Sequence, residues 1–514
     1  MKKKAAVLFM VALLSITGCS RSDTVSLEDR ISFDTRKTKE EQQSEDTENS
    51  GETNNPEDGH YSWQEMSIIL PEGWQERCVI VENEAGFSIY QKASYEQEEG
   101  MGYICGFERG NELLMYGAGE TLMAYTDDGT LYYMFQPTDF PCDTSQKDLV
   151  DEYTSMCEQV DEIKASLEIE ASNLHWDAGE YILPTSSILA LDGTELMNLS
   201  GNDLWIAKNE IYARHGRQFK NDYLQMYFER CSWYDGTIAA SEFDESCLSQ
   251  LEKDNLKLIL AATDEYDKAH PYPKKYSTSD TAKETLSDSP RVDKIRYRVE
   301  EMGDWQYACW LTINGTDYYI NDIVSMESPV SDVFYITDIS ETDDYLEIAL
   351  LDEGPSDDPV TLFFRYDGTL TFLGGVAGFP FSEQTGGMNG FDGWGNITGM
   401  TRMDLIETAY LEGYWYLEDD KICEQTEVSW HNMLPSSGHT LYVDLPVYCS
   451  MDDTSASDTI PAGTQVYFLG SDMKEWILVR GKDGTQGYIH VKDGSILGLD
   501  QPADVVMSDL YFFD

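Results

Sequence analysis

Apolar and polar positions divide this chain into stretches of different period. Behind Lys2, Lys3 and Lys4 an apolar run extends from Ala5 to Leu14, then gives way to Ser15, Ile16, Thr17, Gly18 and Cys19. A basic start, a short apolar core and small residues at a cut site predict a signal peptide over 1–18. The run is shorter than the roughly 20 residues that cross a bilayer. From Ser20 to His60 the chain is dominated by Ser, Thr, Glu, Asp and Asn, with Phe33 its only aromatic. Such a stretch buries too little apolar surface to offset the entropy of ordering it, and 19–60 is expected to be a disordered tether.

Within 61–171, short β-favouring runs at Ser67–Leu70, Val79–Glu82, Phe87–Gln91, Tyr103–Phe107, Leu122–Tyr125 and Leu131–Phe135 alternate with turn residues. Leu149, Tyr153, Met156, Val160 and Ile163 then recur at helical spacing. An α+β domain closed by one C-terminal helix follows. The period turns helical over 180–267. Ser200 to Asp203 offers N-caps, Leu204 to His215 a helix, and Gly216 a stop that tolerates positive φ. Pro271, Pro273 and the Ser, Thr and Lys around them mark 268–291 as a linker. Over 292–427 the β alternation returns at Ala308–Ile313, Asp317–Ile320, Tyr345–Leu351 and Thr361–Tyr366. This predicts an antiparallel β-rich domain, a sandwich or partial propeller-like sheet. Short strands recur once more over 439–498.

Several segments resemble known families. Ile16-Thr17-Gly18-Cys19 resembles the bacterial lipobox, which implies a diacylglyceride on Cys19. Two acyl chains on that residue would hold a protein stably on a membrane. Gly86 to Glu96 resembles a segment of extracellular Firmicutes lipoproteins. Asn209-Glu210-Ile211-Tyr212-Ala213-Arg214-His215-Gly216 resembles the signature of the YARHG domain, and Phe219, Tyr227, Phe228, Trp233, Tyr234, Glu252 and Asn255 fit the same pattern. That resemblance implies a small extracellular domain without an assigned chemistry. Over 439–498, Leu445-Pro446-Val447-Tyr448, Ile460-Pro461-Ala462-Gly463-Thr464, Trp476 to Val479 and Gly487-Tyr488-Ile489 resemble a bacterial SH3-like (SH3b) domain. The implied fold is a small closed barrel, in which Tyr448, Trp476 and Tyr488 are candidate ligand-binding aromatics or core.

Charge narrows the partners. The 35 basic and 95 acidic residues give a formal net charge of −60, which opposes nucleic acid and anionic lipid headgroups. Besides Cys19 there are nine scattered cysteines with no C-x-x-C pair. Only Cys231 and Cys247 are considered for a bridge, and the rest read as buried small hydrophobes. No cofactor or metal is assigned. Asp338, Ser340, Thr342, Asp343 and Glu347 loosely resemble the calcium loops of FG-GAP-type propeller repeats. The match fails in detail, since Ser340 and Thr342 replace stronger oxygen ligands and Glu347 falls one place late. This segment and Asp392-Gly393-Trp394-Gly395 are read as acidic turns.

No H-E-x-x-H, G-x-S-x-G or P-loop occurs in the sequence. Glu210 and Arg214 stand four apart, an ion pair in favourable helix order, and His215 reads as a packed structural residue beside Tyr212. The expectation is a non-enzymatic surface lipoprotein of binding modules on the extracytoplasmic face of a bacterial cell membrane. Peptidoglycan or another envelope protein is its expected partner. The alternatives are a cell-wall hydrolase with a site near His215, and a ligand-capturing or sensing lipoprotein using 61–171.

Overall fold

Strands buried along their length, such as Val333–Thr337, Glu347–Asp352 and Val360–Tyr366, require cover on both faces, and they set the architecture. The computed structural model describes residues 59–111, 119–176, 178–191, 193–354, 358–381, 389–451 and 458–512. The expected signal peptide, Cys19 and the tether as far as residue 58 lie outside them. The described residues form two compact units, divided between Gly179 and Glu180.

In the first unit an antiparallel sheet runs in the order Cys78–Glu82, Gly86–Gln91, Tyr103–Gly110, Leu131–Phe135, Glu120–Thr126, Leu174–His175. A smaller sheet joins His60–Trp63, Met66–Ile69 and Glu168–Ile169. The single helix expected from the period is two helices, Lys147–Cys157 and Val160–Ala165. Tyr153, Met156, Val160 and Ile163 still reach one core with Phe87, Ile89 and Phe107, so the apolar stripe survives the break.

The second unit opens with three helices, Gly201–Arg214, Asp222–Glu229 and Gln250–Ala269. Ser200 and Ser249 start the first and last through reciprocal capping boxes with Asp203 and Glu252. The expected linker 268–291 is corrected: Lys274–Ser277 pairs with Val333–Thr337, and Ala282–Glu284 pairs with Asp293–Gly303. In the first of these, half-buried Lys274 and Tyr276 alternate with exposed Lys275 and Ser277, an edge strand that composition alone disguised as loop.

Beyond them the sheets are layered. A five-stranded sheet runs Lys274–Ser277, Val333–Thr337, Glu347–Asp352, Val360–Tyr366, Leu370–Ala377. On one face, Phe334, Ile336, Ile348, Leu350 and Phe364 pack against Ile295, Tyr297, Leu311 and Ile313 of a four-stranded sheet. On the other, Tyr335, Ala349, Leu351 and Phe363 pack against Ile397 and Trp415 of the sheet Asn396–Asp404, Thr408–Glu418, Lys421–Glu424. The same third sheet sends Met403, Ala409 and Leu411 into the C-terminal core.

The expected SH3-like barrel over 439–498 is also corrected. The C-terminal sheet follows the open path His431–Asn432, Gln465–Ser471, Trp476–Gly481, Gln486–Lys492, Ser495–Ile496, Gln501–Pro502. It runs out in strands of two residues, the last ending on a proline with no N–H to donate. Leu445–Val447 and Asp458–Ile460 form a separate hairpin, which meets the sheet at the single bridge Tyr448–Tyr488. No sheet of the described residues closes into a barrel.

Candidate functional site

The helix Gly201–Arg214 carries Glu210, Tyr212 and Arg214, and Glu210 and Arg214 are tied to the chain that precedes the helix. Glu210 is fully buried and accepts from Ile182 N and Leu183 N. Burial pushes its carboxyl above the usual range, with Arg214 and the two amides pulling the other way. Arg214 donates to Ser186 Oγ at 2.6 Å, Ser187 Oγ at 3.1 Å and Leu183 O at 2.9 Å, and covers the Tyr181 ring. The Tyr212 ring lies under the guanidinium of Arg217.

His215 Nε2 lies 2.8 Å from Glu252 Oε1, which also accepts from Ser187 Oγ at 2.9 Å. Ser187 thus donates to the carboxylate rather than to the imidazole, and a base-activated nucleophile is not assembled. Gly216 has φ +74°, and a Cβ there would meet Asp235 O at 3.0 Å. The motif clamps the segment 181–187 and turns the chain sharply after the helix.

The aromatics predicted at the C-terminus do meet, but largely under cover. Trp476 is 7 % exposed, stacks on His490 at 4.3 Å and meets Tyr448 edge-on at 5.8 Å. Tyr488 is half-buried against Trp430. Cys231 and Cys247 are both free, the first buried and the second exposed.

The two acidic turns, read separately in the sequence, come together. Ser340 and Trp394 form a bridge, Glu341 N donates to Gly393 O, and Gly395 N donates to Ile339 O. An open cleft of about 380 Å³ results, whose lining includes Ser340, Thr342, Asp343, Arg365, Trp394, Asp419 and Asp420. It sits where the ends of the five-stranded and three-stranded sheets meet. Arg365 and Glu347 are cross-strand partners. The guanidinium donates to Glu347 Oε1 at 2.6 Å, Asp343 Oδ2 at 3.2 Å and Asp420 Oδ1 at 2.7 Å, and covers the Tyr345 ring. Burial works to lower the Arg365 pKa, but Glu347 first, then Asp343 and Asp420, outweigh it and raise it.

Trp394 stands 58 % exposed on a loop fixed by Asp392, whose Oδ1 accepts from Trp394 N at 2.7 Å and Asn396 N at 3.1 Å. Next to it Gly393 has φ +76°, and a Cβ there would press on the Glu341 carboxylate. Asp338 lies behind the turn with a buried Oδ1 that has no hydrogen-bond partner. Burial, then Glu341 and Asp343, push its carboxyl up to about 6, with His270 opposing.

Asp343, Ser340, Thr342 and Glu347 were visible in the sequence as an acidic turn. Arg365 and Asp420 were not singled out. Their cue was opposite charges, Glu347 and Arg365, inside otherwise apolar strand runs, where an unpaired charge would be costly. Among the described residues no group of three or more His, Cys, Asp or Glu is placed to hold a metal ion.

Residues 179–264 match the YARHG domain. No curated protein and no solved structure matches the chain. The match is confined to the helical segment, so the wider expectation of a Firmicutes lipoprotein with an SH3b domain is corrected to a chain containing a YARHG domain.

Proposed function

We propose that this is a non-enzymatic binding protein, held by lipidated Cys19 on the extracytoplasmic face of a bacterial cell membrane, with the Trp394 cleft as its ligand seat. The observation that carries the reading is a half-exposed indole mounted on a hydrogen-bonded loop, lining one cleft with charged side chains already locked in ion pairs. Such a site is organised before a ligand arrives, so little ordering cost falls on binding. The YARHG domain serves as scaffold, since Glu210, Arg214 and His215 spend their polar atoms on the fold. The tether rests on the residues that lead into Cys19. No helix of the described residues is long and apolar enough to cross a membrane, and a lipid anchor would supply attachment without one.

Feeding an alkyne-bearing fatty acid to bacteria that express the full chain tests the anchor. Label should appear on the wild-type protein in the membrane fraction and be lost from Cys19→Ala. An unlabelled wild-type protein, or label retained in the variant, refutes it.

A further inference from the structure

We infer that the Trp394 cleft takes a small organic cation, an ammonium group carried on a compact and partly apolar body. The inference rests on the cleft being the ligand seat and adds the class of ligand. The single cation of the lining is already spent: Arg365 is held by Glu347, Asp343 and Asp420 together. Asp343, Asp419 and Asp420 leave the lining with an excess of negative charge, set in a chain of net charge −60. Anionic ligands are repelled from such a cleft and cations are drawn in.

Trp394 adds what a bare metal ion would not use. An exposed indole face attracts an organic cation through its quadrupole and covers the carbon atoms around the charge. Ser340 and Thr342, whose hydroxyls lie 2.8 Å apart, supply neutral hydrogen-bonding groups beside it. An indole, carboxylates and hydroxyls lining one cleft match an ammonium with a small organic body. Two sources share this chemistry, a free alkylamine and an amino sugar.

Isothermal titration of the full chain distinguishes them, using n-butylammonium and glucosamine, with N-acetylglucosamine, butyrate and calcium as comparisons. At least one ammonium probe should bind with one-to-one stoichiometry, and N-acetylglucosamine and butyrate should not. Affinity should fall about threefold or more from low to physiological salt. Trp394→Ala should weaken binding about fivefold or more, Trp394→Phe should restore most of it, and Asp420→Asn should weaken it too. N-acetylglucosamine binding as well as glucosamine would overturn the inference in favour of a neutral sugar. So would calcium binding that Trp394→Ala leaves unchanged, or no binding of either ammonium. If another class of ligand binds and Trp394→Ala abolishes it, the cleft stands as the seat and only the cation assignment falls.

Discussion

Asp338 shows how one side chain reports on the site behind which it sits. Its buried Oδ1 lacks a partner, and burial with Glu341 and Asp343 raises its carboxyl to about 6 from an ordinary 3.8. The folded state therefore holds this proton over a range in which the unfolded state has released it. The stability it contributes is fully present below about pH 4 and lost as pH rises through 6. Asp338→Asn keeps the shape and removes the charge. It is expected to stabilise the protein at pH 7.5 by about 1 kcal/mol after allowance for solvent screening, with the gain vanishing by pH 4. Thermal melts of both proteins across that range check it, and a gain independent of pH would show that the charge is not the cause.

Single elements show which expectations a linear pattern can support. The capped helix Gly201–Arg214 and the strands Gln306–Ile313 and Val360–Tyr366 follow the residues closely, because each has a clear apolar pattern and a defined stop. Lys274–Ser277 was hidden, since an edge strand needs few apolar residues and its neighbours read as loop. The open C-terminal sheet was hidden too: spacing of short strands predicts strands, whereas closure depends on whether the outermost ones pair. The cleft was half legible. Its turns stood out, but their meeting depends on the register that sets Glu347 opposite Arg365. A different kind of local conflict appears in the hairpin of Asp293–Gly303 and Gln306–Ile313. Its two-residue turn places Trp305 at φ +59° with 87 % of its surface exposed. Left-handed backbone is costly for such a residue, so Trp305→Gly is expected to raise stability by about 1 kcal/mol in denaturant titration. A loss of stability would mean that the exposed indole makes contacts worth more than the strain.

Within the unit that begins at Glu180 the helices and the C-terminal sheet are joined by half-buried polar contacts. Lys482 donates to Glu229 O at 2.9 Å and Cys231 O at 2.7 Å, at the end of the helix Asp222–Glu229, and burial lowers its pKa. Arg480 lies 3.5 Å from Glu180, which in turn accepts from Ser232. Lys482→Met should cost about 1.5–3 kcal/mol and separate the unfolding of helices and sheet into two transitions, visible by calorimetry. An unchanged transition for this unit would locate the coupling elsewhere, in the layered cores. Those cores also hold the two sheets that supply the cleft's lining, Arg365 from the five-stranded and Leu417 from the three-stranded sheet, so the proposed ligand seat is a property of the assembled layers. The most direct measurement is a crystal structure of the chain soaked with n-butylammonium and, separately, glucosamine. The account predicts density over the Trp394 indole with the ammonium within hydrogen-bond reach of Asp343 or Asp420. A cleft empty in both soaks, or density seated elsewhere on the molecule, would contradict it.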